Sequence, residues 1–172
     1  SGLMREEKLF VIKKFKFLLI AACIALSGVC SSLFFSANND KLQKNTTITV
    51  KQDTTRTLEA EITGIYPGNS REYVINLNVK DAEILDISLA FRNKEKDDGK
   101  LKNYIDVTIS AGNVKIEKTL KELLDDDEKY DLGDNVKTIT ITYTMPESVG
   151  NESKGATADF YIDISAKASE EK

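Results

Sequence analysis

The sequence predicts an all-β protein: an antiparallel jelly-roll or β-sandwich with one short helix, preceded by an N-terminal signal or transmembrane helix. Three observations carry that reading. From Thr46 onward apolar residues recur at every second position in runs rich in Ile, Val, Thr and Tyr, the pattern of strands with one buried face. The breaks between the runs carry Pro, Gly, Asn and Asp, the residues that make tight turns. One uncharged stretch, Phe17 to Phe35, stands ahead of all of this.

That stretch is nineteen residues long and is preceded by Lys13, Lys14 and Lys16. As a helix it would rise about 28 Å, close to the apolar thickness of a bilayer. The cationic flank stays in the cytoplasm, so the residues that follow are exported and the protein is expected to be secreted or held at the cell surface. Two readings of the segment stay open. A signal peptide needs a small-residue cleavage site, and Ala37 with Phe35 two positions before it matches that poorly; an uncleaved membrane anchor is the other. Cys23 and Cys30 both lie in this run. Seven residues apart on a helix they are separated by about 10 Å of rise, too far for a disulfide.

Four segments follow from this division: residues 1–37 (basic region plus signal or anchor helix), 38–45 (polar connector), 46–167 (β-sandwich domain) and 168–172 (polar tail). Within the domain, Thr46 to Gln52 alternates with Ile48 and Val50 on one face. Further alternating runs are centred on Leu58-Ala60-Ile62, Tyr73-Ile75-Leu77-Val79, Ile87-Leu89-Phe91, Tyr104 to Ile109, Val114-Ile116, Ile139-Ile141-Tyr143 and Phe160-Ile162-Ile164. Tyr66-Pro67-Gly68-Asn69 has the residues of a type II turn, with Pro where φ is fixed and Gly where φ is positive. Asp97-Asp98-Gly99-Lys100 and Ala111-Gly112-Asn113 read as hairpin turns. Thr119 to Leu124 is the one helical stretch, with Thr119 as N-cap and Glu122 three residues on.

Composition excludes several functions. No histidine occurs in the chain, which removes the Ser-His-Asp triad and the HExxH zinc site. The part after residue 37 has no cysteine, and its twenty-six Asp/Glu outnumber nineteen Lys/Arg, so nucleic acid is not an expected partner. No S-x-x-K lies within the domain at residues 46–167 and G-x-S-x-G is absent, which leaves no nucleophile with an adjacent base there. The chain is therefore read as no enzyme, with no catalytic residue and no cofactor. The densest carboxylate cluster, Asp125, Asp126 and Asp127 with Asp131 and Asp134 beyond, is a weak Ca²⁺ candidate. Ca²⁺ takes six to eight oxygens, but the spacing departs from the EF-hand loop, and a solvated acidic loop accounts for the same residues.

The last forty residues carry one further pattern. Tyr143 to Phe160 reads Y-T-M-P-E-x-x-G-N-E-x-x-G-A-x-A-x-F and resembles the C-terminal signature of the TasA/camelysin family of Gram-positive exported proteins. Ile65 to Ser70 is similar to that family's x-x-P-G-D-S turn. Asp131-Leu132-Gly133-Asp134 followed by Lys137-Thr138 sits where the family has a late turn, and Thr46 to Val50 where its mature proteins begin their first strand. Ser32-Leu33-Phe34-Phe35-Ser36 resembles the family's aromatic-rich signal ending without its Gly-Thr and Ala.

The resemblance implies a jelly-roll sandwich and a fibre or biofilm-matrix subunit, processed by a signal peptidase and associating with itself or with other matrix proteins. It also brings in a zinc endopeptidase activity proposed within the family, which a domain without His or Cys serves poorly. The assembly-strand candidates are Thr46, Ile48 and Val50: a mature N-terminal strand behind a polar arm can be added to the sheet of the next subunit. The alternative is a surface-binding domain tethered to the membrane by Phe17 to Phe35.

Overall fold

The computed structural model describes residues 43–94 and 99–170, and the chain divides between Asp40 and Lys41 into two compact units. The uncharged run Phe17 to Phe35, residues 38–42 of the connector and the Asp97-Asp98 half of one expected turn lie outside the described residues.

The second unit is a two-sheet β-sandwich. Its strands are β1 (Gln43–Val50), β2 (Thr54–Ile62), β3 (Ser70–Val79), β4 (Ala82–Asn93), β5 (Asp106–Ala111), β6 (Val114–Thr119), β7 (Lys129–Gly133), β8 (Thr138–Thr144) and β9 (Ala158–Glu170). A 3-10 turn, η1 (Leu101–Tyr104), and an α-helix, α1 (Leu120–Asp125), flank the β5–β6 hairpin. One sheet has the order β1-β3-β8-β5-β6 and the other β2-β9-β4-β7.

The pairings are nested. β2 pairs with β9, β3 with β8, β4 with β7 and β5 with β6, all antiparallel. The chain from Thr54 to Glu170 is thus one long hairpin folded about Gly112-Asn113 and rolled up. The added pairs β4–β9 and β5–β8 complete two four-stranded sheets. That is the jelly-roll arrangement, and it uses eight strands without β1.

Inward positions form one continuous core. Ile75, Ile87, Leu89, Ile109, Ile139, Ile141, Phe160 and Ile162 are fully buried, as period-two alternation requires. Phe160 sits between Phe91 and Tyr143, with ring centroids 6.1 and 5.9 Å away. Leu101 of η1 and Leu120 and Leu123 of α1 are also fully buried. α1 packs on β4 and β6, so these helical pieces cover one flank of the sandwich.

Local rules hold where the sequence states them. Asn69 N donates to Tyr66 O at 2.9 Å and Gly68 has φ +82°, the geometry of a type II turn. Ala111 lies opposite Val114, so the β5–β6 loop is two residues long, with Gly112 at φ +54°. Thr119 caps α1: its Oγ1 accepts from Glu122 N at 3.2 Å, and its own N donates to Glu122 Oε2 at 2.8 Å. This is a complete capping box.

Five expectations need correction. β4 and β5 stand in different sheets and do not pair, so Asp97 to Lys100, which read as a hairpin turn, fall in a crossing between sheets; a turn motif does not encode which strands it joins. The β1–β3 pair is parallel over all eight residues, from Gln43↔Glu72 to Val50↔Val79; periodicity encodes a buried face and not a strand's direction. β7 covers Asp131, where a turn was expected, because Tyr130 and Leu132 are buried on its inner face. The run from Tyr104 to Ile109 begins as the end of η1, and β5 starts only at Asp106. Strand structure also runs beyond residues 46–167, starting at Gln43 and ending at Glu170.

Candidate assembly edge

β1 forms an outer edge of its sheet. Thr46, Ile48 and Val50, the expected assembly residues, share its inward face: Ile48 is 5% exposed and Val50 fully buried. Burying two such side chains stabilises by about 1.5–3 kcal/mol each. At the C-terminal end of the strand, Lys80 N donates to Val50 O at 3.0 Å. At the other end, Thr46 Oγ1 and the Tyr73 hydroxyl lie 2.9 Å apart and share a hydrogen bond. The Lys44 ammonium stands 5.4 Å from the centroid of the Tyr73 ring, within cation–π range. All three sequence-predicted residues therefore fill a slot along β3, and the chain leaves it through a three-residue link, Lys51 to Asp53, into β2.

Beside this slot the flank opposite α1 is open. A cleft of about 180 Å³ lies between β1 and β2, lined by Lys44, Ala60, Ile62, Arg71, Tyr73 and Tyr143 among others. Tyr143 is buried, and its hydroxyl has no hydrogen-bond partner among the described residues. Burial pushes its ionisation well above the ordinary tyrosine range. Neither tyrosine was singled out for this role by the sequence. Alternation places both inward, but only the fold shows that they meet the cleft.

The Ca²⁺ candidates are dispersed. Asp125, Asp126, Asp127, Asp131 and Asp134 are all exposed. Asp125 binds Lys102 at 2.9 Å and Lys121 at 3.1 Å, and these ammonium groups hold its carboxyl below the usual range. Asp126 faces Lys118, which also reaches Glu128. Asp131 Oδ1 accepts from Gly133 N at 2.7 Å. Among the described residues no group of three or more acidic side chains is placed to hold a metal ion.

The two motif pieces that the sequence holds nearly eighty residues apart are joined. Gly68 N donates to Met145 O at 2.8 Å, and Met145 N to Asn69 O at 3.0 Å. Ser153 is buried, and its hydroxyl donates to Gly150 O at 3.1 Å. The turn and the 149–157 loop bound a groove of about 550 Å³, with Tyr66 63% exposed.

No protein-family model and no curated protein matches the sequence. Among solved structures the chain is similar to a mutant of the Escherichia coli periplasmic inhibitor of g-type lysozyme, PliG. Identity is 12% over 73% of this chain and 99% of that one, with a TM-score of 0.39. The Aeromonas hydrophila PliG gives 12% identity, the same coverages and a TM-score of 0.38. The extracellular region of zebrafish Gpr126/Adgrg6 gives 13% identity over 75% of this chain, 15% of that chain and a TM-score of 0.39. These scores are too low to carry an argument about function.

Proposed function

We propose that the protein is an exported structural subunit of an extracellular fibre or matrix, assembled by adding β1 of one copy to the β3 edge of the next. The observation that carries this reading is that β1 stands outside the rolled-up hairpin. The eight strands β2 to β9 complete two sheets by themselves, and β1 adds a ninth strand in parallel at one edge. A strand delivered from a neighbour can make the same backbone ladder and bury the same Ile48 and Val50. Head-to-tail repetition of that contact does not close, so it yields filaments. The run Phe17 to Phe35 supports export, and the resemblance of Tyr143 to Phe160 to the TasA/camelysin signature supports a matrix role.

Two experiments test it. Deleting residues 38–52 leaves all eight strands of the roll, so the domain is expected to fold and to form no fibres; fibres of normal appearance would sink the proposal. Thr47 and Asn76 face each other in the β1–β3 register, with strands about 4.8 Å apart, so Thr47→Cys with Asn76→Cys can form a disulfide. In a Cys23→Ser/Cys30→Ser background, fibres are expected to run as a covalent ladder on a non-reducing gel. Intact fibres whose disulfides are all within single chains would refute strand donation and leave the tethered binding domain as the better reading.

A further inference from the structure

Besides the edge formed by β1, the two sheets end at β6, β2 and β7, and these three edges are not equally protected. β7 spans five residues and its pairing with β4 is broken by a register shift. β6 carries Lys115 and Lys118, and Lys118 reaches across to Asp126 and Glu128. Short length, irregular pairing and edge lysines are the ordinary defences of a sheet edge. β2 is neither short nor irregularly paired, and its charges, Arg56, Glu59 and Glu61, are of mixed sign. It is nine residues long, pairs with β9 without a register shift and contains neither Pro nor Lys. Among the described residues nothing pairs with its other side.

Its side chains also specify a partner. A strand that pairs with its own copy about a two-fold axis normal to the sheet must place residues of the same face opposite each other. Centring the axis on Leu58 uses the whole of Thr54–Ile62. In that register Leu58 meets Leu58, Arg56 meets Ala60, Thr57 meets Glu59 and Thr55 meets Glu61, so no like charges are directly opposed. Cross-strand opposition of this kind sets pairing preference. The edge of β1 carries no charge from Asn45 to Val50, so its side chains fix no register.

We infer that the free edge of β2 docks the β2 of a second copy, antiparallel about Leu58, joining two four-stranded sheets into one eight-stranded sheet. The contact uses neither β1 nor its slot. It is a lateral pairing, separate from strand donation along a fibre.

The test is cysteine cross-linking of the full chain under mild oxidation, every variant carrying Cys23→Ser and Cys30→Ser. Directly opposed residues in an antiparallel pair lie within disulfide range. Leu58→Cys is therefore expected to give a covalent dimer. Thr55→Cys alone is not, because the two copies of residue 55 would stand about 20 Å apart along the strands. Thr55→Cys combined with Glu61→Cys restores an opposed pair and is expected to dimerise; both positions are exposed, so the core is untouched. This double variant decides the matter even where Leu58→Cys perturbs folding. A folded double variant that stays monomeric overturns the inference, as does Thr55→Cys cross-linking as fast as the double variant. Either failure leaves strand donation standing, and loss of fibres on deleting residues 38–52 leaves this pairing standing.

Discussion

The Tyr73 hydroxyl lies 2.9 Å from Thr46 Oγ1 and ties β3 to β1 at the mouth of the sandwich. Tyr73 is 5% exposed and keeps its ring in the core, so Tyr73→Phe removes the hydrogen bond and little else. One neutral hydrogen bond contributes about 1 kcal/mol. The amides of Thr46 to Val50 are then expected to exchange about fivefold faster, with those of β9 unchanged. Equal acceleration throughout the domain would show that β1 does not open separately from the roll.

Tyr143 presents the opposite situation. Its ring packs edge-on against Phe160, yet its hydroxyl is buried with no partner among the described residues. A buried donor left unmade costs about 1–3 kcal/mol. Tyr143→Phe keeps the ring contact and is expected to leave the melting temperature unchanged or raise it. Tyr143→Ala empties the site and is expected to destabilise by about 3–5 kcal/mol. A marked loss of stability in Tyr143→Phe would mean that the hydroxyl is satisfied in solution.

The capping box of α1 gives a prediction with a pH signature. Thr119→Ala loses the cap and is expected to cost about 1 kcal/mol. The Thr119 backbone N–H, followed by its hydroxyl, holds the Glu122 carboxyl below its ordinary range. A carboxyl depressed in the folded state adds stability above its unfolded value and loses it as pH falls through the folded one. The stabilising increment is therefore fully present at neutral pH and declines on acidification below the usual glutamate range near 4.3. Glu122→Gln is expected to flatten that part of the acid unfolding curve, read by circular dichroism. An unchanged slope would place the pH dependence elsewhere.

How much of this was legible in the sequence depends on the range of the rule. The type II turn at Tyr66 to Asn69, the two-residue hairpin at Gly112-Asn113 and the capped α1 are fixed within four residues of chain, and each stands as expected. The buried faces of the long strands follow from period two. β7 was hidden because Tyr130 and Leu132 are two apolar positions set among charges, too short a run to register. The parallel direction of β1 is a matter of topology, and side-chain alternation is blind to it. The lysines that engage Asp125 and Asp126 include Lys102 and Lys118 from other elements, so a carboxylate cluster in sequence became a set of ion pairs in space. The candidate edge was legible as a strand, while the open cleft beside it depends on which strands stand at the border of each sheet.

The link Lys51 to Asp53 sets the balance between β1 in its own sheet and β1 in a neighbour's. Three residues span no more than about 11 Å, and in that distance the chain must leave β1 in one sheet and enter β2 in the other. Short, constrained hinges favour exchange of the element they carry, and lengthening them favours the closed monomer. A short Gly/Ser insertion after Gln52 leaves both strands and every core residue in place. It is expected to preserve the melting temperature within a few degrees and to shift secreted protein from fibre to monomer, read by sedimentation and negative-stain microscopy. If fibres form as before, the link does not govern the exchange. If the insertion also destabilises the monomer, the Thr54 hydroxyl bond to Gln52 O at 2.8 Å is the local contact to restore.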